Sequence, residues 1–473
     1  MKKVILYISL SLGVFFSSCD SLIDVQPRQS IDTATAFTSE EAVQAAILGV
    51  YDRLQGLRVY GRDLIALPEA LSDNGRATNK SGRLNPEYLN QPGAHFADGL
   101  WQGAYYAINQ INLILENLPT VPRMAQATKD VVEGEALFMR ALFYFNLTRA
   151  YAYDPGAIVA PSNKGSVPLI LKGVTGLDQV ELSARASIDD VYAQIYKDLD
   201  GAIAKLPART AVNRVNKVSA QAIYSRVALY RRDYAAVVKN ANDALNGGVG
   251  SFLSNAAYVG GFRSAINPES IFELEYQTPE NTGVNESLQT SFTTLLTSGN
   301  RATTGGFGDL VPTNDLLAQF ETGDVRRNLY ELGTAGRGAA EIECTKFLGK
   351  NGQPNLDNVP VIRVSEVILN RAEALAMQGN AAAALTDLNR IRTRAGLAES
   401  TASGTALLEE ILKQRRVELA FEGHRWFDLK RLGRDIVKAA PAQTIPFTDF
   451  KILARLPIRE IQINSNLQQN SGY

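Results

Sequence analysis

The chain has few of the side chains on which enzyme and metal chemistry depend. Its 473 residues include only two histidines, two cysteines and two tryptophans. Two histidines and two cysteines leave almost nothing from which to build a zinc site. Their scarcity also removes most arrangements in which a histidine activates a nucleophile. The composition favours a binding protein over an enzyme, and it predicts neither a cofactor nor a metal site.

The chain also lacks an excess of charge of either sign. It carries 48 Lys and Arg against 49 Asp and Glu, for a formal net charge of −1. A nucleic-acid binder needs a basic surface that neutralises phosphates, so this balance argues against a nucleic-acid partner. The hydrophobic content of 45% is that of an ordinary folded protein.

The only long apolar run lies at the N-terminus. Lys2 and Lys3 precede an apolar stretch over residues 4–16, which is too short to span a bilayer permanently and is typical of an export signal. Two small residues then lead to Cys19, an arrangement that resembles the lipobox of bacterial lipoproteins, with Phe16 where Leu is usual. We expect residues 1–18 to be cleaved and Cys19 to be lipidated, which leaves Cys344 without a disulfide partner. The alternative is a plain secretory signal.

Most of the remaining chain has the hydrophobic period of helices. Two helix–turn–helix units are clear: Lys217–Arg231 followed by 234–246, and 364–378 followed by 381–394. Each unit has about the length of a tetratricopeptide repeat, and such pairs stack because neither can bury its apolar face alone. Further pairs are predicted from 40–57 with 99–118, and from 131–153 with 188–206.

The segments between these pairs differ in composition. Four of them are long and rich in Gly, Asn, Ser, Thr and Pro: 71–98, 154–186, 247–314 and 330–359. Loops of this length are usually functional or disordered. Short β-like runs accompany them at 167–171, 271–276 and 360–364. The sequence predicts a mainly α-helical fold with irregular loops on one side. It also predicts two parts of the mature chain, a tether over 19–30 and a single domain over 31–473.

A series of motifs in fixed order resembles the SusD/RagB family from the lipobox to the last residue. The motifs are Cys19-Asp20, Asp24-Val25-Gln26-Pro27, residues 37–40, 49–51, Trp101 with Tyr105, Ile108 and Asn112, then 133–141, 165–169, 366–374, 388–392, 415–431 and 470–473. No single motif would be enough to identify the family, but coincidence does not explain so many motifs in the same order.

The resemblance implies a cell-surface lipoprotein of Bacteroidota, held on the outer membrane by its lipid. Members of the family bind oligosaccharides, or peptides in the RagB branch, and deliver them to a SusC-like TonB-dependent transporter. The family fold is a helical scaffold of four tetratricopeptide-like pairs whose loops form the ligand face. The family mechanism is capture and lid-like opening, with no bond broken by this subunit.

The segment 415–431 is dense in charged and aromatic residues. A carboxylate–imidazole pair one helical turn apart can act in acid–base catalysis, but it is more often an ion-pair network. We favour the structural interpretation for the charged residues, core packing for the aromatic ones, and a loss of stability on replacing Arg425. The residues concerned are Glu418, Glu422, His424, Trp426, Phe427 and Asp428. Trp101, within a regular helical pattern, is likewise predicted to pack in the core rather than to stack on a sugar.

Ligand contacts are therefore expected in the loops. Planar polar side chains can bridge paired sugar hydroxyls, and an aromatic ring supplies the apolar platform. The first candidate loop, 71–98, offers Asp73, Asn74, Arg76, Asn79, Arg83, Tyr88, His95 and Phe96. The second, 281–309, offers Phe292, Arg301 and Phe307.

Two other function classes stay open on the sequence. A surface enzyme such as a glycoside hydrolase needs only two carboxylates, although nothing marks such a pair here. A pure tetratricopeptide scaffold would bind other proteins and no nutrient. The common nucleotide, zinc-protease, serine-hydrolase and EF-hand motifs are absent.

Overall fold

Nine long helices supply the framework in the computed structural model, which describes residues 37–96, 98–297, 306–335 and 338–473. Short α-helices lie between and after them. In chain order all the described α-helices, long and short, are α1 (Glu40–Gln55), α2 (Asp63–Leu71), α3 (Asn85–Tyr88), α4 (Gly99–Asn117), α5 (Gln126–Tyr151), α6 (Ile188–Lys205), α7 (Lys217–Arg231), α8 (Tyr234–Gly247), α9 (Tyr258–Gly261), α10 (Leu288–Phe292), α11 (Asn314–Leu317), α12 (Val364–Met377), α13 (Ala381–Ala395), α14 (Gly404–Leu419), α15 (Arg425–Arg431) and α16 (Ile458–Ile463). The export signal over 1–18, Cys19 and the tether over 19–30 lie outside the described residues.

The long helices pack as four neighbouring pairs: α1 with α4, α5 with α6, α7 with α8, and α12 with α13. Successive pairs are joined by contacts of α4 with α5, of α6 with α7 and of α8 with α12, and α14 covers the end of the row against α12. The four pairs predicted from hydrophobic periodicity are confirmed.

Local signals in the sequence explain why the helices begin and end where they do. The side chain of Asn216 accepts a hydrogen bond from the backbone N–H of Ser219, whose hydroxyl in turn accepts from the N–H of Asn216, so α7 starts in a capping box. Arg232 at φ 63° ends that helix, and Asp233 caps α8. Gly248 ends α8 in the left-handed conformation that glycine adopts without strain.

Helix α5 lies at the centre of the apolar core. Phe138, Leu142, Phe143 and Phe145 are all inaccessible to solvent, although they point in different directions around the helix. Helix α5 is therefore buried on more than one side. The same core extends without interruption from Val43 in α1 to the C-terminal segment.

The described strands are short and form four two-stranded antiparallel sheets, β1 with β3, β2 with β6, β4 with β5 and β7 with β8. They are β1 (Gly75–Ala77), β2 (Ser270–Leu274), β3 (Leu310–Pro312), β4 (Tyr330–Leu332), β5 (Ile342–Cys344), β6 (Val359–Arg363), β7 (Ile436–Ala439) and β8 (Ala442–Ile445). The β-like runs 271–276 and 360–364 prove to be partners in one sheet.

The run 167–171 was expected to be a strand, and that expectation is wrong. Side chains of the adjoining helices take up its backbone groups instead of a second strand. The Tyr105 hydroxyl donates to the carbonyl of Pro168 at 2.7 Å, and the Tyr144 hydroxyl donates to that of Ile170 at 2.7 Å. At its start the carbonyl of Val167 accepts a hydrogen bond from the backbone N–H of Ala186 at 3.2 Å, but no continuous strand pairing follows.

The segment 415–431, expected to be helical, is interrupted between Glu418 and Glu422. Helix α14 ends at Leu419, Phe421 takes φ 63° and Gly423 takes φ 82° before α15 begins. A Cβ atom on residue 423 would lie 2.2 Å from the carbonyl oxygen of Leu64, so close packing against α2 requires glycine there.

Candidate functional site

The two candidate loops meet at the small sheet formed by β1 and β3. Arg76 pairs with Val311 in that sheet, and the backbone N–H of Thr78 donates to the carbonyl of Asp309 at 2.8 Å. The Ser81 hydroxyl donates to the Asp309 carboxylate at 2.6 Å, which fixes the next turn of the first loop. Residues more than 200 positions apart in the chain therefore form one surface.

Four polar side chains of these segments are partly or fully exposed, and we call them the polar rim: Arg76, Asn79, Arg83 and Asn285. The Arg83 guanidinium lies 4.8 Å from the centre of the Phe307 ring and donates to the Asn285 side-chain oxygen at 3.3 Å. A cation over an aromatic face is attracted by the ring and is restricted in orientation. Arg83 is thus presented in a defined plane.

Arg76 and Asn79 complete the polar rim. Arg76 forms a 2.9 Å ion pair with Glu341, and both side chains keep about a third of their surface exposed, at 32% each. Such an exposed pair contributes little to folding and leaves donors available. Asn79 is exposed at φ 61°, a conformation that asparagine tolerates better than most residues. The polar rim combines guanidinium and amide groups suited to bridging neighbouring hydroxyls.

Two other candidates, Asp73 and Asn74, hold the base of the loop. The Asp73 carboxylate accepts two hydrogen bonds from Arg425, at 2.7 and 2.8 Å, and pairs with Arg416. Burial opposes ionisation, yet these two arginines keep the pKa of Asp73 below its usual value. Asn74 is inaccessible and bonds Glu69 and Arg416. In this structure both are used within the fold.

The aromatic candidates are also internal. Phe96 packs on Trp426 with ring centres 5.7 Å apart, and Phe292 packs edge-on against Phe421 at 5.0 Å. Tyr88 and Phe307 are about 5% exposed, and His95 is wholly buried. Burial, with the nearby charges of Lys438 and Lys451, lowers the pKa of His95 to about 3, so this ring is neutral. Of these rings, Phe307 contacts the polar rim, through Arg83.

Arg301 lies outside the described residues, and its predicted ligand contact stays a prediction. Two residues of this surface, Asn285 and Glu341, were not predicted from the sequence. Both occur in the loop segments identified as functional, but nothing local distinguishes them from their neighbours. Asn285 stands out only through its contact with Arg83, 202 positions away.

The charged residues of 415–431 form a buried set of contacts, which we call the ion-pair cluster: Glu418 with Arg326, Arg363 and Arg394. The Glu418 carboxylate lies 2.8 Å from Arg363, 2.7 Å from Arg394 and 3.3 Å from Arg326, with each side chain at most 2% exposed. Burial opposes ionisation, but the three guanidinium groups hold the pKa of Glu418 well below its usual range.

The rest of that segment is similarly engaged. Glu422 pairs with Arg363 at 2.7 Å, and Asp428 pairs with Arg415 at 2.8 Å and with Arg431 at 2.7 Å. Burial lowers the pKa of His424 to about 3, although Glu366 acts in the opposite direction. A neutral imidazole and ionised, paired carboxylates are what the structural interpretation of this motif expects.

Both tryptophans pack in the interior, as the sequence analysis expected. Trp426 is inaccessible and Trp101 is 4% exposed, with its ring 4.9 Å from that of Tyr105. Trp101 and Tyr105 form the floor of a surface groove of about 340 Å³ on α4, beside the exposed ring of Tyr106. Tyr106 gives this groove an accessible aromatic side chain.

Within the described part of the chain, no cluster of His, Cys, Asp and Glu is suited to holding a metal ion. No helix among the same residues is both long enough and apolar enough to cross a membrane. Cys344 is a free thiol inside the protein, and burial raises its pKa to about 12.

Comparison with known proteins agrees with this architecture. A model described as "SusD family" matches residues 342–473, and one described as "Starch-binding associating with outer membrane" matches residues 22–229. A SusD-like protein of Formosa agariphila is 25% identical over 523 residues, covering 98% of each chain.

Solved structures give the same result. A putative sugar-binding protein from Bacteroides vulgatus superposes with a TM-score of 0.80 at 27% identity, over 93% of this chain and all of the other. A laminarin-binding SusD-like protein superposes with a TM-score of 0.74 at 24% identity, over 92% of this chain and all of the other. With its helix pairs and with family models matched in both halves, the chain belongs to the SusD/RagB family.

Proposed function

We propose that this protein captures oligosaccharides at the cell surface through the polar rim and delivers them to a SusC-like TonB-dependent transporter. The observation that carries the proposal is the presentation of Arg83, stacked on Phe307 and bonded to Asn285 at the junction of two long loops. A rigid, planar donor on an exposed surface is suited to a polyhydroxylated ligand.

The chemistry of the polar rim favours a neutral glycan over a strongly charged ligand. Arg76 is already neutralised by Glu341, and the amides of Asn79 and Asn285 carry no charge, so Arg83 supplies the single positive charge of the polar rim. Each guanidinium offers parallel N–H donors to adjacent hydroxyls, and each amide offers both a donor and an acceptor. The contacts are few and solvated, so we expect modest affinity that depends on several sugar units.

The relatives support a glycan more than a peptide. One family model is described as starch-binding, and a protein of the same fold is described as laminarin-binding. These descriptions concern other proteins, and the loop residues of this chain decide its own ligand. Peptide capture, as in the RagB branch, is the alternative within the family.

The same proposal includes the attachment of the protein. Residues 1–18 act as the export signal, Cys19 carries the lipid, residues 19–30 form the tether, and residues 31–473 form one domain on the outer face of the outer membrane. This arrangement places the loops outside the cell, where polymers are met. Incorporation of labelled palmitate into the wild type, and its loss in Cys19→Ser, would support the anchor.

Calorimetry against panels of oligosaccharides and peptides tests the binding. We expect heat with at least one glycan, and a loss of affinity of about tenfold or more in Arg83→Ala, as for a charge-assisted hydrogen bond. Arg209→Ala is the matched control, because Arg209 is an exposed arginine that bonds one backbone carbonyl outside the loops. Equal affinities in both variants would contradict the assignment of the polar rim.

Delivery and catalysis are tested separately. Co-purification of the lipidated protein with a TonB-dependent transporter from outer membranes would support the partnership, and its absence under native extraction would oppose it. Incubation with a bound oligosaccharide should return the ligand intact. Sustained release of shorter products, abolished by one carboxylate substitution, would establish a hydrolase instead.

A further inference from the structure

Lys438 is a buried cation in an unusual setting. It lies in β7 and is 4% exposed, and its ammonium group donates hydrogen bonds to the backbone carbonyls of Ala70, at 2.8 Å, and of Tyr88. The ammonium also lies 4.8 Å from the centre of the Tyr88 ring. Among the described residues, no carboxylate lies within ion-pairing distance of it.

Two other buried lysines, unlike Lys438, pair with a carboxylate. Lys346 also donates to two backbone carbonyls, those of Glu418 and Ala420, but it pairs with the Glu422 carboxylate at 2.5 Å. Lys430 pairs with Asp154 at 3.0 Å. A buried charge without a counter-ion is costly, so a position that retains one usually has a specific role.

The two carbonyls that Lys438 joins mark the ends of the candidate loop. Ala70 lies in the last turn of α2, and Tyr88 is the last residue of α3. The intervening residues, 71–87, carry three members of the polar rim: Arg76, Asn79 and Arg83. A single ammonium group therefore holds the base of the loop from both sides.

We propose that Lys438 is a positioning residue that closes the base of the loop 71–87 and so sets the geometry of the polar rim. This inference rests on the proposed function only for its effect on ligand affinity. The hairpin β7–β8 supplies the rigid support, since Ile436 and Lys438 face inward while Val437, 59% exposed, faces solvent.

The hydrogen bonds from Lys438 to the carbonyls of Ala70 and Tyr88 form what we call the clamp. The electrostatic surroundings make the clamp dependent on pH. Burial lowers the pKa of Lys438 to about 7, partly offset by the Asp73 carboxylate. The other nearby titratable groups keep their charge states around neutrality. Arginine neighbours keep the pKa of Asp73 low, burial keeps the pKa of Tyr88 above its ordinary value, and the pKa of His95 is about 3.

The direction in which pH changes the stability of the closed loop follows from proton linkage. An opened loop exposes Lys438 to water, where its pKa returns towards the ordinary 10.5. The closed state therefore binds fewer protons than the open state between about pH 7 and about pH 10. Raising the pH through this window should favour the closed loop, and lowering it below about pH 7 should remove that advantage.

Hydrogen exchange measured by mass spectrometry tests the clamp without any ligand. In Lys438→Met the carbonyls of Ala70 and Tyr88 lose their donor, and we expect amides in 71–87 to exchange about tenfold faster or more, with the helix pairs unchanged. Lys346→Met is the control, because it removes a comparable buried lysine elsewhere and should not loosen 71–87 selectively. Exchange that rises equally everywhere, or not at all, would overturn the proposal.

The wild type provides a second test that does not depend on the variant folding. After correction for intrinsic rates, protection of 71–87 should increase from about pH 6 to about pH 9 relative to the helices. Protection that is flat or falls over this range would count against the clamp.

Glycan affinity then separates this inference from the proposed function. Weaker binding in Lys438→Met, together with local loosening, supports both. Loosening without glycan binding by any variant retains the clamp and overturns the proposed function. Unchanged exchange in Lys438→Met, with glycan binding lost in Arg83→Ala, overturns the clamp and retains the proposed function.

Discussion

The ion-pair cluster and the polar rim are built from the same kinds of residues and behave differently because of burial. Around Glu418, three guanidinium groups surround one carboxylate and all four side chains are at most 2% exposed. In the polar rim, Arg76 and Glu341 each keep 32% of their surface in contact with water. The first set is saturated by its own partners, whereas the second retains donors for a ligand.

The contrast explains why charge density alone is a poor guide to function. The segment 415–431 is the most charged part of the motif series, yet its carboxylates are committed to arginines. Those that pair with Glu418 and Glu422 come from distant parts of the chain, and those that pair with Asp428 lie in the same segment. The loops are less conspicuous, but they present groups that the fold leaves partly unsatisfied. Arg416 and Arg425 link the two regions, since both hold Asp73 at the base of the loop.

The largest expected effect tests the buried side of this comparison. Glu418→Gln preserves shape but removes the carboxylate that Arg326, Arg363 and Arg394 share. The arginines keep their other partners, Asp324, Glu269 and Glu422, and the buried set is left with one uncompensated positive charge. We expect the free energy of unfolding to fall by about 3–5 kcal/mol, as when one partner of a buried pair is removed. Urea titration followed by circular dichroism measures it.

Glu409→Gln is the matched control. Glu409 pairs with Arg434 on the surface, where the side chains are 51% and 39% exposed, and its loss should cost less than about 1 kcal/mol. If both variants lost the same small amount, the ion-pair cluster would not be a stabilising feature.

The next effect is a loss of folding stability at acidic pH. Glu366 lies 2.6 Å from Arg226, and although burial opposes ionisation, Arg226, His424 and Arg415 lower the pKa of Glu366 to about 2. A depressed carboxyl pKa adds stability above the ordinary value of 4.5, and this contribution is lost as the pH falls from 4.5 to 2.

We therefore expect the wild type to exceed Glu366→Gln in unfolding free energy by about 3 kcal/mol at neutral pH. The difference should shrink below about pH 4.5. Denaturant titrations at a series of pH values measure it, and a difference that is constant with pH would contradict the assigned cause.

The helices were predictable from the sequence because their signals are local. Asn216 with Ser219, the turn at Arg232-Asp233 and the glycine at 248 act within a few residues of the helix ends they define. The framework role of Trp101 and of the charged motif also followed from residue type and pattern. The break after Leu419 did not, because it depends on how closely Gly423 approaches α2.

The site was predictable only as a region. Asn74 and Asn79 lie five positions apart in one loop, and no local feature separates them. Asn74 is buried because Glu69 and Arg416 bond its amide, and Arg416 is 342 positions away. Asn79 is exposed because no such partner reaches it among the described residues. Which side chains face a ligand is decided by contacts that no single sequence displays.

The smallest expected effect on stability sharpens the exposed side of the comparison. Asn79→Gly removes the amide while allowing the backbone at φ 61°, so the unfolding free energy should change by less than about 1 kcal/mol. Loss of one hydrogen bond should weaken glycan binding by about threefold to tenfold. Asn351→Gly is the control, since Asn351 is also exposed at positive φ, 53°. Calorimetry that finds the same affinity in both variants would remove Asn79 from the polar rim, whereas a large fall in stability would show that this residue belongs to the framework after all.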